Sequence, residues 1–194
     1  MTTRFLPNYF YDIFMFLLLI PSSTINMVEG IRDNTDFIRV SCKTTEYPTL
    51  CYSTLSKYAT TIKTSPSLLT KTALLVTHDA AQNASSFMSN YLDDKKTSPT
   101  DDGPMKDCKE LLGDAIEELT KSIVEMDKIK DYKNFQFHMS NVETWVSAAL
   151  TDASTCIDGF EGKNVKTMVK KVMDDLEERT SNALCIVNSY ASHY

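Results

Sequence analysis

Apolar residues recur three and four positions apart along most of the chain, the signature of amphipathic helices. Between about Pro66 and Leu92 the apolar stripe is Leu69, Ala73, Val76, Ala80, Ala84, Phe87 and Tyr91. The polar stretch from Asp93 to Gly103 reads as a loop, and Pro104 fits the first position of a second helix. That helix shows Met105, Cys108, Leu112, Ala115, Leu119, Ile123, Met126 and Ile129, with Glu117, Glu118, Lys121 and Glu125 on a face expected to be solvated. After a break near Asp131 to Gln136, Ser140 and Glu143 have capping-box spacing, although the helix could begin a few residues earlier. Val142, Val146, Ala149, Leu150 and Ala153 then form a third stripe, with Trp145 on its flank and an end expected near Cys156, before Gly159 and Gly162. A fourth helix, from about Asn164 to Tyr190, repeats Val165, Met168, Val169, Val172, Leu176, Ala183, Leu184 and Val187.

Four amphipathic helices joined by short loops predict an all-α fold, an antiparallel up-down four-helix bundle over residues 66–190. Five glycines and six prolines in 194 residues are too few for a sheet-rich fold with many tight turns. Residues 36–64 behave differently. Cys42 and Cys51 are nine positions apart, which in one straight helix separates them by about 13.5 Å. A disulfide tolerates only about 7 Å between Cα atoms. If the two are bonded, the chain must reverse between them, and Tyr47-Pro48 is the place, because the residue before a proline resists the helical region. The expected result is an N-terminal helical hairpin.

The first thirty residues read as a secretory signal. Arg4 precedes an apolar run, Ile13 to Ile20, that ends at Pro21-Ser22-Ser23 and falls short of the roughly 20 apolar residues of a membrane span. Cleavage is placed between about Ser23 and Gly30, leaving a domain of residues 31–194; the alternative is an N-terminal membrane anchor. Removing residues 1–30 takes Arg4, Asp12 and Glu29 from 20 basic and 26 acidic side chains, leaving a net charge of about −5. A mildly acidic chain is a poor nucleic-acid binder and suits a basic or neutral protein surface. Five cysteines in an exported chain suggest two disulfides and one free thiol. Cys185 falls on the apolar side of the last helix and is expected to be a buried, inert thiol. The sequon Asn83-Ala84-Ser85 agrees with export and predicts that Asn83 faces solvent.

No catalytic constellation is legible. His78, His138 and His193 stand in no triad or metal spacing, and there is no nucleophile elbow, zinc-protease helix, P-loop or dinucleotide fingerprint. Asp174-Asp175 and Glu177-Glu178 read as a solvated helix face. A binding module that needs no metal, cofactor or small-molecule substrate is therefore expected, not an enzyme.

Four segments carry a family resemblance: Cys42 to Cys51, Asp107 to Ile116, Val142 to Phe160, and Thr180 to Asn188. Together they resemble the plant pectin methylesterase inhibitor and invertase inhibitor family, over roughly Asp36 to Tyr190. The resemblance implies a hairpin on a four-helix bundle, Cys42–Cys51 and Cys108–Cys156 disulfides, and a free Cys185. In the chain-entropy model such bonds contribute about 2.7 and 4 kcal/mol. It also implies a secreted, apoplastic protein that inhibits a cell-wall enzyme through a 1:1 complex.

The invertase-inhibitor branch uses a Pro-Lys-Phe segment between the last two helices. Here that connection is Gly159-Phe-Glu-Gly-Lys-Asn164, without proline, and the stretch from Trp145 to Thr151 is similar to the esterase-inhibitor branch. Pectin methylesterase is the expected target and acid invertase the alternative; with the chain ending at Tyr194, no attached esterase domain is expected. By the same resemblance Thr155 and Glu110 match contact residues, and Asp114 and Asp158 match recurring acids. For Asp158 a local cap near the helix end is the competing role, and Asp114 could equally be structural.

Overall fold

The structure is a computed structural model that describes residues 22–93, 102–130, 132–160 and 167–192. Most of the expected signal segment, most of the loop after Asp93 and most of the connection after Gly159 lie outside the described residues. Seven α-helices are described: α1 (Ser22–Cys42), α2 (Pro48–Leu55), α3 (Ala59–Ile62), α4 (Pro66–Asp93), α5 (Asp102–Met126), α6 (Phe135–Asp158) and α7 (Thr167–Ala191). Short 3-10 turns occupy Ser56–Tyr58 and Tyr132–Asn134. Helices α4 to α7 form the bundle, with α4 packed on α5 and α7, and α6 on α5 and α7. Leu74, Leu112, Leu119, Val142, Val146 and Leu176 are among the buried residues of its core. The helix α1 runs through residues 23–30, the window in which the sequence puts signal cleavage.

The hairpin reverses where the sequence requires it. Pro48 opens α2, preceded by Tyr47 at φ −119° and ψ 73°. Cys42 and Cys51 are bonded, with Cα atoms 5.6 Å apart. Ile38, Leu55 and Ile62 pack with Leu69 and Ala73 of α4 and Ala183 and Ile186 of α7 into a second core. Polar contacts from α7 clamp the reversal. Buried Asn182 accepts from the Tyr47 N–H at 2.9 Å and donates to the Tyr47 carbonyl at 3.0 Å. Ser181 donates to Glu46 at 2.6 Å, and Arg179 donates to Thr54 at 3.0 Å. The hairpin passes to the bundle through Lys63, which holds a positive φ of 54°.

Several expectations change. The third bundle helix starts at Phe135, the earlier of the two starts the sequence allows, because Phe135 and Met139 are buried and extend the apolar stripe upstream of Ser140. Phe135 meets Tyr190 edge-on, with ring centroids 5.2 Å apart. His138 thus lies within α6. Met168, assigned to the last apolar stripe, is 60% exposed, although its neighbour Val169 is buried. Cys185 is free but only half-buried, since it sits at the flank of the α7 stripe beside Ile186 and Val187, which take the core positions. His78 Nδ1 and Asp79 Oδ1 approach to 3.8 Å although the two residues are adjacent on α4.

Glu125, expected on a solvated face, is only 3% exposed. The start of α6 packs across it. Lys128 donates to its Oε2 at 2.7 Å, Asn141 donates to its Oε1 at 2.9 Å, and His138 Nδ1 lies 2.8 Å from Oε1. Burial alone would push this carboxyl up, but the three hydrogen bonds outweigh it and hold the group at about 2. A carboxylate depressed on folding contributes stability that is present above pH 4.5 and lost as pH falls toward 2. Replacing it leaves the half-buried His138 and Asn141 without their partner and opens a cavity, so Glu125→Ala is expected to cost about 2–3 kcal/mol in urea unfolding. It should also remove part of the stability loss between pH 4.5 and 2; a variant within a few tenths of the parent would refute the buried network.

Candidate functional site

The helices α5 and α6 carry the residues singled out from the sequence. Glu110 and Asp114 on α5, and Thr155 and Asp158 on α6, are all exposed. The Cys108–Cys156 bond, with Cα atoms 4.6 Å apart, sets the start of α5 against the end of α6. The four residues therefore fall at one end of one face of the bundle. Each helical step rotates about 100°, so Thr155 is turned outward while its neighbour Cys156 points into the core. The Thr155 hydroxyl donates to the Thr151 carbonyl at 2.7 Å, which restrains its rotamer. Glu110 and Asp114 stand one turn apart on the same side of α5. The helix α6 closes with the Gly159 N–H donating to the Thr155 carbonyl at 3.1 Å, so this ending is a backbone one.

Two further acids belong to this face. Glu118 continues the Glu110–Asp114 spacing by one more turn, and Asp152 lies three residues before Thr155. Glu118, expected to be solvated, is half-buried because α6 packs over its flank, and its Oε2 is enclosed without a partner. Burial first, then the charge of Asp152 and a hydrogen bond with it, push the Glu118 carboxyl up to about 7. Asp152 is also raised, by burial and then by Asp114, while the bond with Glu118 pulls it down. The same contact raises Glu118 and lowers Asp152, so of the two carboxyls Glu118 holds a proton more readily. The four-residue spacing from Asp114 to Glu118 was visible in the sequence. Nothing in one helix showed that α6 would enclose it.

Gly113 also lies on α5, and a Cβ built there meets nothing within 4 Å. A glycine inside a helix costs about 0.5–1 kcal/mol relative to alanine, yet no neighbour excludes a side chain here. It leaves the outer side of α5 flat between Glu110 and Glu117. A groove of about 620 Å³ lies elsewhere, between the hairpin, α4 and α7. Among the described residues no group of three or more His, Cys, Asp or Glu side chains could hold a metal ion, and no helix is long and apolar enough to cross a membrane.

The family model for plant invertase/pectin methylesterase inhibitors matches residues 36–186. Pectinesterase inhibitor 11 of Arabidopsis thaliana is 40% identical over 95% of this chain and 98% of its own length. Pectinesterase 3 of Phaseolus vulgaris is 32% identical over 77% of this chain, an alignment that spans 26% of that protein. A crystal structure of a mutant pectin methylesterase inhibitor from Arabidopsis superposes with a TM-score of 0.64 at 22% identity, over 76% of this chain and 92% of that one; it shows the shared fold.

An acid raised on folding contributes stability that is complete below its unfolded value and lost as pH rises through its folded one. For Glu118 that window runs from about 4.5 to about 7. The melting temperature is expected to fall across it, and Glu118→Gln, which keeps a donor toward Asp152, should flatten the fall. A Glu118→Gln profile that tracks the parent would refute the raised Glu118 carboxyl.

Proposed function

The chain belongs to the plant invertase/pectin methylesterase inhibitor family, and on that premise we propose that it binds pectin methylesterase and blocks its substrate cleft, limiting pectin demethylesterification in the cell wall. It is an inhibitor, not an enzyme. The observation that carries the choice of target is the 40% identity with a pectinesterase inhibitor along 95% of the chain. The relatives described above are named for pectinesterase, and invertase is not favoured.

The mechanism is occlusion by a pre-formed surface. The outer face of α5 and α6 lies over the cleft, and a polymeric substrate cannot enter. Thr155 and Glu110 are placed at the contact, with Asp114 and Asp158 beside them. The Cys108–Cys156 bond and the Thr155–Thr151 hydrogen bond support this reading, because a face already rigid loses little entropy on binding. The flat at Gly113 supports it too, since it admits close approach of a partner's backbone. The complex is taken to be 1:1. Export to the apoplast, with signal removal between residues 23 and 30, completes the reading and leaves residues 31–194 as the inhibitor domain.

The purified protein, mixed at apoplastic pH with a plant pectin methylesterase and separately with acid invertase, is expected to inhibit the esterase. Inhibition of invertase alone would overturn the assignment. Thr155→Trp places a bulky ring on the contact face and should abolish inhibition while the melting temperature is unchanged; a fully inhibitory Thr155→Trp protein would move the interface elsewhere. If protons shared with the partner, or basic groups of the partner that titrate, hold the complex, inhibition weakens as pH rises from about 5 to 8, the range in which Glu118 also loses its proton beside Asp114 and Asp152. An affinity that stays flat over that range would remove the acid cluster from the interface.

A further inference from the structure

Asn83 opens the sequon Asn83-Ala84-Ser85 and stands exposed on α4. It also lines the groove of about 620 Å³ between the hairpin, α4 and α7. Three apolar side chains from three different elements face the same space: Tyr58 from the hairpin, Phe87 from α4 and Met168 from α7. Tyr58 is 40% and Met168 60% exposed, so the groove leaves large apolar surface uncovered. We propose that Asn83 carries an N-linked glycan whose first sugars lie in this groove against Phe87, Tyr58 and Met168.

Geometry and chemistry both favour that occupant. Residues four apart on a helix are neighbours about 5–6 Å apart, and helical side chains lean toward the N-terminus. The Phe87 ring therefore leans toward Asn83, within reach of the first sugar ring attached there. Sugar rings present a face of weakly positive C–H groups, which complements the negative face of an aromatic ring. Their hydroxyls meet a polar rim that includes Lys57, Asp79 and Lys171. The groove falls within the roughly 300–1,000 Å³ of small-ligand sites, and two hexosamine rings are a ligand of that class. Seated there, the glycan bridges the hairpin to α4 and α7 and opposes local opening of the hairpin. It lies on the side of the bundle away from the α5–α6 face and leaves that face clear.

This inference rests on the export reading, because only the secretory route supplies the modification. The test expresses the full chain with its own N-terminus in a eukaryotic secretory host, beside Ser85→Ala, which destroys the sequon but keeps Asn83. Intact mass before and after peptide N-glycosidase should show one glycan, absent from Ser85→Ala. Amide exchange in residues 56–62 should be several-fold slower with the glycan, and the melting temperature about 2–4 °C higher. The pair Tyr58→Ser and Met168→Ser should erase both differences without changing the melting temperature of the Ser85→Ala protein. Both variants are expected to inhibit pectin methylesterase as the parent does. Secreted protein without a glycan would overturn the site while export stands, and protein retained in the cell would overturn both. A glycan that leaves exchange and melting temperature at the Ser85→Ala values would overturn its seating. Dimerisation of the glycosylated protein, abolished by Met168→Asp, would assign the groove to a second copy of the chain.

Discussion

The pairing of α5 with α6 is the constraint on which the rest of this structure depends. Three chemically different devices hold it along its length. At one end Cys108 and Cys156 cross-link the two helices covalently. At the other, the buried Glu125 carboxylate gathers Lys128, His138 and Asn141. Between them the half-buried Glu118 carboxyl of α5, raised by burial and by Asp152 of α6, is kept from carrying a full charge beside its neighbour. Each device would be costly alone: a buried carboxylate without donors, or two carboxylates in contact, would be driven apart or protonated. Together they fix the register of the helix pair, and with it the relative positions of Glu110, Asp114, Thr155 and Asp158.

The hairpin is tied to the bundle by other means. Its own disulfide closes the reversal locally. Its attachment to α7 depends on Asn182, whose amide satisfies both the N–H and the carbonyl of Tyr47 at the point where no helix can. Asn182 is buried among residues that include Ala183 and Ile186, so the clamp sits at the edge of the hairpin's apolar core. The groove beside this junction is where the hairpin and bundle fail to fill space, and Asn83 stands on its rim.

On the proposed reading, inhibition works through shape and charge. The exposed α5–α6 face is acidic, flat at Gly113 and supported from behind by the helix pairing. Because Glu118 changes charge near neutrality, the same cluster links the stability of the face to the acidity of its surroundings. The groove on the opposite side is free to carry a different function without disturbing that face.

Much of this was legible before any coordinates. The three- and four-residue spacing of apolar positions determines four bundle helices, because only a helix places such residues on one face. The nine-residue separation of Cys42 and Cys51 forces a reversal if they are bonded, and the proline after Tyr47 locates it. Residues matching the family's contact positions could be named from local motifs. The fates of Glu118, Glu125 and His138 could not, since each is polar on its own helix and acquires its role only from side chains on another. Met168 failed for the converse reason: it keeps helical spacing, but no neighbouring element covers it. Periodicity reports which side of a helix is apolar; only the tertiary structure decides which polar groups at that boundary are enclosed, because enclosure depends on the partner helix and not on the residue itself.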